Sequence, residues 1–391
     1  MNENLASWAR VVCFSFTGFV FMTTEITPMA ILPEIAAGLG RSASEAGLLV
    51  TGYAWVVTIM SLPLTILTAR QNRRMLILVI MAMFGASHVY AGLAPNFASL
   101  MAARVLVALT HALFWSIAPA MAIRLAPEGE RPKALALMSS GSLLGTALGI
   151  PVATMLGHVL GWRSVFLVIA AVSILVLLVI MFSVPSMPNL NSGSLDSLPF
   201  LMRRGRLLFT YALAVFAVTG HYAAMTYFST FLGGVWKFGD RLVEVSLVVL
   251  GLSSIAGNFI GSALARRAPG AAVIAPMLVL LLTLCAMKFL SGGLAGALLL
   301  CMVWGASFTA ATLVFQMRVL TIASDATDVA QAIYSGLFNI GIGGGAMIGG
   351  RVLEHWGLPL IGPAGALFVA VSALICAAGL WHYRAESLPG I

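Results

Sequence analysis

Long apolar stretches, separated by short polar segments, follow one another along the whole chain. Nine of them contain no Asp, Glu, Lys or Arg: 46–69, 134–162, 164–195, 207–236, 245–265, 268–287, 289–317, 329–350 and 355–383. Two further spans fit into 75–123, on either side of a turn at 94–96, and another at 11–33 contains a single Glu25. A helix needs roughly 20 apolar residues to cross a bilayer core of about 30 Å. The pattern predicts an all-α polytopic membrane protein with twelve transmembrane helices.

The composition excludes several other classes of protein. Of the 391 residues, 60% are hydrophobic and 9% are charged, whereas about a quarter are charged in soluble domains. A soluble enzyme, a nucleic-acid-binding protein and a disordered chain are therefore excluded. The sequence has no HExxH zinc signature and no Gly-x-x-x-x-Gly-Lys-Ser/Thr nucleotide loop. We predict no enzymatic activity, no metal, no cofactor and no direct use of ATP.

The basic residues are unevenly divided between the polar segments. With twelve spans, the two termini and the even-numbered loops lie on one side of the membrane, and that side holds fourteen of the 21 Lys and Arg residues. The opposite side holds six, and Arg104 lies within a span. Cytoplasmic segments carry the excess of Lys and Arg in membrane proteins. Both termini are therefore predicted to be cytoplasmic.

The longest polar stretch, 185–206, lies between spans six and seven. It is rich in Pro, Ser, Asn and Gly, which is typical of a linker. We therefore predict an N-terminal six-helix bundle at 1–184, a cytoplasmic linker at 185–206 and a C-terminal six-helix bundle at 207–391.

The two predicted bundles match at a fixed offset of 196 residues. Glu25 in span one corresponds to His221 in span seven. Such matches indicate duplication, and many transporters are built from repeats with the substrate site near mid-membrane. Two rows of glycine at every fourth residue form flat helical faces, which we expect to permit rocking between the halves. They are Gly141, Gly145 and Gly149, and Gly341, Gly345 and Gly349.

Three strings of residues resemble a known family. They are TTEITPMAILPEIA at 23–36, THALFWSIAPAMAIRLAP at 110–127 and SDATDVAQAIYSGLFNIGIGGGA at 324–346. With twelve spans in two halves, they resemble the bacterial sugar efflux transporters of the drug:proton antiporter-1 branch of the major facilitator superfamily. The resemblance implies two pseudo-symmetric six-helix bundles, with helices one and four lining a central cavity. It also implies proton-coupled efflux of small sugars across the bacterial inner membrane, and we expect a monomer.

Glu25 is the first candidate for proton coupling. A carboxylate within an apolar helix is costly unless it is protonated, paired or facing water, and it marks a functional site by default. Pro28 removes one helix hydrogen bond and crowds the carbonyl of Thr24, which adds polar groups beside Glu25. The alternative is a structural carboxylate bonded to a neighbouring helix.

Arg104 and His111 are the other two candidates for proton coupling. They are seven residues apart, so they share one face of helix four and lie about 10 Å apart along its axis. An imidazole can titrate near neutral pH, and the alternative for His111 is a neutral ring bonded to a backbone carbonyl. Arg104 can snorkel from the outer end of its helix, pair with an acid or form a structural ion pair.

The candidates for substrate binding combine hydrogen-bonding and aromatic side chains. A sugar presents hydroxyl groups and C–H faces, which these two kinds of side chain recognise. The candidates are Tyr53, Trp115, Ser116, His221, Tyr222, Gln316 and Asn339. The alternatives are packing or an interfacial belt for the aromatic residues, packing for His221, and an interhelical hydrogen bond for Asn339.

The main hypothesis is a proton-coupled antiporter that exports small sugars or sugar-like solutes by alternating access. Its partners are then the substrate, protons and the lipid bilayer. A second hypothesis keeps the fold and changes the cargo to hydrophobic drugs or nucleosides. A receptor or scaffold that binds without transport is a third, and the repeat and the central carboxylate argue against it. A membrane-embedded enzyme is the fourth, for which the sequence offers no nucleophile–base pair.

Overall fold

The structure is a computed structural model. It describes residues 3–68, 71–128, 130–187, 198–289, 293–323 and 326–382. Parts of several segments named above lie outside the described residues: 188–197 of the predicted linker, 324–325 at the start of the third family-like string, 290–292 of the span 289–317, and the last residue of the spans 46–69 and 355–383.

The described residues form fifteen α-helices and one 3₁₀ turn at Leu358–Leu360. The helices are α1 (Glu3–Ala30), α2 (Leu32–Gly38), α3 (Ala43–Leu67), α4 (Arg73–Gly92), α5 (Phe97–Leu125), α6 (Arg131–Leu160), α7 (Trp162–Ser183), α8 (Leu198–Leu201), α9 (Gly205–Met225), α10 (Phe228–Gly234), α11 (Asp240–Arg267), α12 (Pro269–Ala286), α13 (Leu294–Ile322), α14 (Thr327–Trp356) and α15 (Ile361–His382).

The long helices confirm the predicted spans. Within the described residues, eleven helices are long and apolar enough to cross a membrane, and a twelfth, Gly270–Ala286, is shorter. Spans one and seven are each interrupted near their ends: α1 is followed at once by the short α2, and α9 by the short α10. The twelve long helices correspond in order to the twelve predicted spans.

Glycine and capping residues fix several helix ends. α6 is followed by Gly161 at φ 82° and α14 by Gly357 at φ 85°, a region that only glycine adopts without strain. These two glycines are 196 residues apart, the offset of the internal repeat. Asn96 caps α5 and exchanges hydrogen bonds with Ser99, which satisfies backbone donors at the helix start.

The contacts within the chain divide it into two compact units. The first comprises Met1–Arg41 and Trp55–Gly193, and the second comprises Ser42–Ala54 and Ser194–Ile391. The first half of α3 is thus grouped with the second unit. The exact bundle boundaries given above, 1–184 and 207–391, stay a prediction.

The two units share three helix pairs. In the first unit α6 packs along α1, and α4 packs against α5 and α7. In the second unit α14 packs along α9, and α12 packs against α13 and α15. Counted along the long helices of each half, these are the pairs one–five, three–four and three–six. The internal repeat therefore extends from sequence to packing.

The glycine rows lie inside the units, so they do not form the seam along which we expected the halves to rock. A Cβ on Gly145 of α6 would lie 2.7 Å from the Phe19 carbonyl oxygen of α1. A Cβ on Gly345 of α14 would lie 2.5 Å from the Thr219 carbonyl oxygen of α9. Each row is required because two backbones of the same unit touch there.

Candidate functional site

Glu25 and His111 form the centre of the candidate site in the first unit. Glu25 projects from α1 and His111 from α5, and Glu25 Oε2 lies 3.6 Å from His111 Nε2. The Glu25 side chain is 12% exposed and the His111 side chain 6%. The sequence placed both residues among the proton-coupling candidates, and the fold brings them into one pair.

Arg104 completes this cluster from α5. Its side chain is 0% exposed, so it does not snorkel to the membrane surface. Its Nη1 donates a hydrogen bond to the Thr24 carbonyl oxygen at 3.1 Å, and the guanidinium acts electrostatically on Glu25 and His111. Pro28 has no N–H to donate to that carbonyl, so the carbonyl can accept from Arg104.

Aromatic rings surround the charged cluster. The Phe21 ring is stacked between Phe84 and Phe114, with both centroid distances 4.1 Å. The Trp115 ring meets the edge of His111 at 6.0 Å. Electrostatic interactions are stronger in such a poorly hydrated environment than in water. The cluster is therefore sensitive to any change in the number of protons it holds.

The structure adds two histidines to which the sequence assigned no function. His88 of α4 is fully buried, bonds the Phe84 carbonyl oxygen through Nδ1 at 2.7 Å, and lies within electrostatic range of Arg104. His158 Nε2 of α6 lies 2.7 Å from Glu34 Oε1 of α2. From the sequence, Glu34 could have been noticed as a carboxylate at the end of an apolar span. Its partner His158 could not have been identified, because it lies 124 residues away in the sequence.

A second cluster lies in the other unit, around His221 of α9. The Trp304 indole N–H of α13 donates to His221 Nδ1 at 3.0 Å. The Phe308 ring is stacked on the imidazole at a centroid distance of 3.5 Å, and Tyr222 meets it edge-on at 4.9 Å. The sequence predicted His221 and Tyr222 as binding residues but missed Trp304 and Phe308, because residues on separate helices leave no periodic signal.

The remaining substrate candidates are spread over both units. Ser116 of α5 is exposed, and its hydroxyl donates to the Leu113 carbonyl oxygen at 2.8 Å. Tyr53 is 1% exposed in the part of α3 grouped with the second unit. Gln316 is half-buried on α13, two turns beyond Phe308.

Asn339 of α14 is 7% exposed. Its Nδ2 donates to the Ser335 carbonyl oxygen of its own helix at 3.0 Å, rather than to another helix. Its buried Oδ1 accepts no hydrogen bond from the described residues. A buried amide oxygen in this state is available to a hydroxyl donor.

The comparisons with known proteins lead to one family. A family model described as Major Facilitator Superfamily matches residues 14–330. A protein of Mannheimia succiniciproducens named "Probable sugar efflux transporter" is 39% identical over 371 residues, covering 95% of this chain and 94% of the relative. A Pasteurella multocida protein of the same name is 39% identical over 376 residues, covering 96% and 93%.

Solved structures give the same fold. A bacterial homolog to the human lysosomal transporter Spinster, in an inward-facing and unoccupied conformation, is similar with a TM-score of 0.80 at 18% identity, covering 100% of this chain and 99% of that one. The occupied form of that homolog gives a TM-score of 0.81 at 19% identity, covering 100% of both chains. At these identities the likeness concerns the fold alone.

Proposed function

Because the chain belongs to the major facilitator superfamily, and is therefore a multi-pass membrane transporter rather than an enzyme, we propose that it exports small sugars in exchange for protons. The observation that carries the proposal is the 3.6 Å approach of Glu25 to His111 beside the buried Arg104. Ionisable groups within a membrane span are costly and mark proton or substrate pathways.

The proton is held by the Glu25–His111 pair. On the outer side of the membrane a proton loads the pair as the substrate departs. On the inner side, substrate binding favours release of the proton, and alternating access exposes the site to one side at a time. Arg104 is the fixed positive charge of the cluster, and its bond to the Thr24 carbonyl holds it in place.

The substrate assignment rests on two supports. The relatives named sugar efflux transporters cover nearly the whole chain. The aromatic and hydrogen-bonding groups suit the C–H faces and hydroxyls of a sugar. We assign substrate contacts to the predicted candidates: Tyr53, Trp115, Ser116, His221, Tyr222, Gln316 and Asn339.

The proposed setting is the bacterial inner membrane, with a monomer that has both termini in the cytoplasm. The excess of fourteen Lys and Arg over six on the opposite side supports this orientation. The inward proton gradient supplies the driving force, and because the sugar moves opposite to the proton, efflux runs from the cytoplasm outward.

The coupling role is tested by Glu25→Gln in proteoliposomes that contain a pH-sensitive dye. An imposed sugar gradient drives proton movement in the wild-type protein. We expect Glu25→Gln to abolish this movement while sugar exchange down its own gradient continues, because the amide cannot release a proton. Glu128→Gln, an exposed glutamate between α5 and α6, is the control and should match the wild type. Unchanged sugar-driven proton movement in Glu25→Gln would refute the coupling role.

The substrate class is tested on the same proteoliposomes. The panel contains a pentose, a disaccharide, a thiogalactoside, a nucleoside and a hydrophobic antibiotic. We expect the first three to move protons. Transport of only the nucleoside or the antibiotic would replace the sugar assignment with the second hypothesis.

A further inference from the structure

The imidazole of His221 is held from three directions within the second unit. Trp304 bonds its Nδ1, Phe308 covers one ring face in a nearly parallel stack of 6°, and Tyr222 meets it edge-on. Trp304 is itself 0% exposed and packs edge-on against Phe228 at 4.8 Å. The ring of His221 therefore has one orientation.

The bond from Trp304 also determines where the ring proton lies. An indole N–H is a donor only, so the nitrogen facing it must be the acceptor. In a neutral imidazole one nitrogen accepts and the other carries the hydrogen, so His221 Nε2 carries it. A second proton on Nδ1 would place two donors against each other. His221 is thus held as a neutral donor, in contrast to its repeat counterpart Glu25.

We propose that His221 Nε2–H donates a hydrogen bond to an oxygen of a neutral, hydroxylated substrate, and that Trp304 is a positioning residue that fixes this donor. The inference rests on the proposed sugar-efflux function and names the recognition element within it. It adds Trp304 and Phe308 to the residues on which substrate affinity depends.

The surroundings of the ring favour a neutral substrate. The ring contacts of His221 within the described residues are aromatic: Tyr222, Trp304 and Phe308. A charged substrate would need a counter-charge here, because transfer of an unpaired ion into an apolar site is costly. A sugar needs only donors, acceptors and aromatic faces. Tyr222, which is half-buried, supplies such a face beside the donor.

The experiment measures equilibrium binding of L-arabinose, lactose and isopropyl thiogalactoside to the purified full-length protein at pH 6 and pH 8. The variants are Trp304→Phe, which keeps a ring and removes the indole donor, His221→Phe, which removes the imidazole donor, and His221→Gln, which keeps an N–H. Trp236→Phe is the control, since this buried indole packs on Phe231 at 5.2 Å, outside the His221 cluster. Thermal unfolding confirms that each variant is folded.

We expect His221→Phe and Trp304→Phe to weaken binding about tenfold, the effect of one lost hydrogen bond. His221→Gln should bind more tightly than His221→Phe, and Trp236→Phe should match the wild type. In a His221→Phe background, Trp304→Phe should cause no further loss of affinity, because the donor that Trp304 positions is already absent; a purely structural tryptophan would weaken binding there as well.

The outcomes separate this inference from the function on which it rests. If the wild type binds a sugar and both His221→Phe and Trp304→Phe bind it as tightly, the inference is wrong and the transport function stands. If the wild type binds none of the three sugars, the sugar assignment fails and this inference fails with it. Binding at equilibrium needs no proton gradient, so a failure of proton coupling at Glu25 leaves the result unaffected.

Discussion

Pro28 gives a backbone carbonyl inside an apolar helix a side-chain partner. In a regular helix the N–H of residue 28 would bond the Thr24 carbonyl. Proline has no N–H, and Arg104 donates to that carbonyl instead. The buried guanidinium is therefore oriented by the backbone of α1, one residue before Glu25. A single proline thus couples the shape of the helix to the electrostatics of the candidate site.

The change Pro28→Ala tests this coupling. The new N–H would compete with Arg104 for the Thr24 carbonyl, because it lies in position for the helix bond. We expect sugar-driven proton movement to fall several-fold while the thermal unfolding temperature in detergent is unchanged or higher, since an interior proline disfavours a helix by about 3 kcal/mol. Pro63→Ala, at an exposed position within α3, is the matched control. Wild-type proton movement in Pro28→Ala would contradict the role given to Arg104.

Residue type alone identified part of the site. Glu25 and His111 stand out because ionisable groups are rare in apolar spans, and they prove to be neighbours. Trp304 carried no such signal, since tryptophan is common in membrane helices and its partner His221 is 83 residues away. For Arg104 the sequence allowed snorkelling or pairing, and only the packing of α5 against α1 decides between them.

At the scale of the helices, close packing depends on which glycine faces a neighbour. Gly344 and Gly345 are adjacent on α14, yet a Cβ on Gly344 would meet nothing within 4 Å, whereas one on Gly345 would collide with the α9 backbone. The glycine spacing predicted flat faces correctly. It did not reveal that each face lies within a unit, because a row of small residues does not specify its partner.

This pair of glycines supplies a prediction with an internal control. Gly345→Ala should destabilise the protein by about 1–3 kcal/mol, the usual cost of overpacking a tight contact. Gly344→Ala should be neutral or stabilise by up to about 1 kcal/mol, because alanine favours a helix more than glycine does. The measurement is thermal unfolding of the purified variants in detergent. Equal stability of the two variants would show that α14 does not approach α9 at Gly345.

The sequence predicted the long helices but not the short ones. Span lengths follow from the apolar stretches, and all twelve have a helical counterpart. The short helices α2 and α10 were missed, since the apolar pattern continues through the breaks after Ala30 and Met225. A break inside an apolar stretch leaves no polar signal, and only the backbone reveals it.

At the scale of the molecule, duplication preserved the backbone while the side chains diverged. The repeat-related glycines Gly161 and Gly357 end equivalent helices with nearly equal φ angles. Glu25 and His221 occupy equivalent positions but make different contacts. Glu25 lies next to the ionisable His111, whereas His221 packs against aromatic rings. Sequence comparison of the two halves therefore predicts the fold better than it predicts the chemistry of either site.

The proposed orientation of the whole chain, with both termini in the cytoplasm, is tested by cysteine labelling. Arg41, after α2, and Glu128, before α6, are both exposed, and they are separated by an odd number of spans. In a variant whose four native cysteines are replaced, we expect Arg41→Cys to react with a membrane-impermeant maleimide in intact cells. Glu128→Cys should react only after permeabilisation, because its segment belongs to the side that is rich in Lys and Arg.

The reverse labelling pattern would place both termini outside the cytoplasm and contradict the proposed orientation. The Glu34–His158 pair, which joins α2 to the last turn of α6, would then face the cytoplasm. The inward proton gradient would still drive efflux, because in antiport the sugar moves opposite to the proton whichever way the chain is inserted. Labelling of both positions in intact cells would mean that the two loops share one side, which an odd number of intervening spans forbids. The experiment therefore tests the span count and the orientation of the chain together.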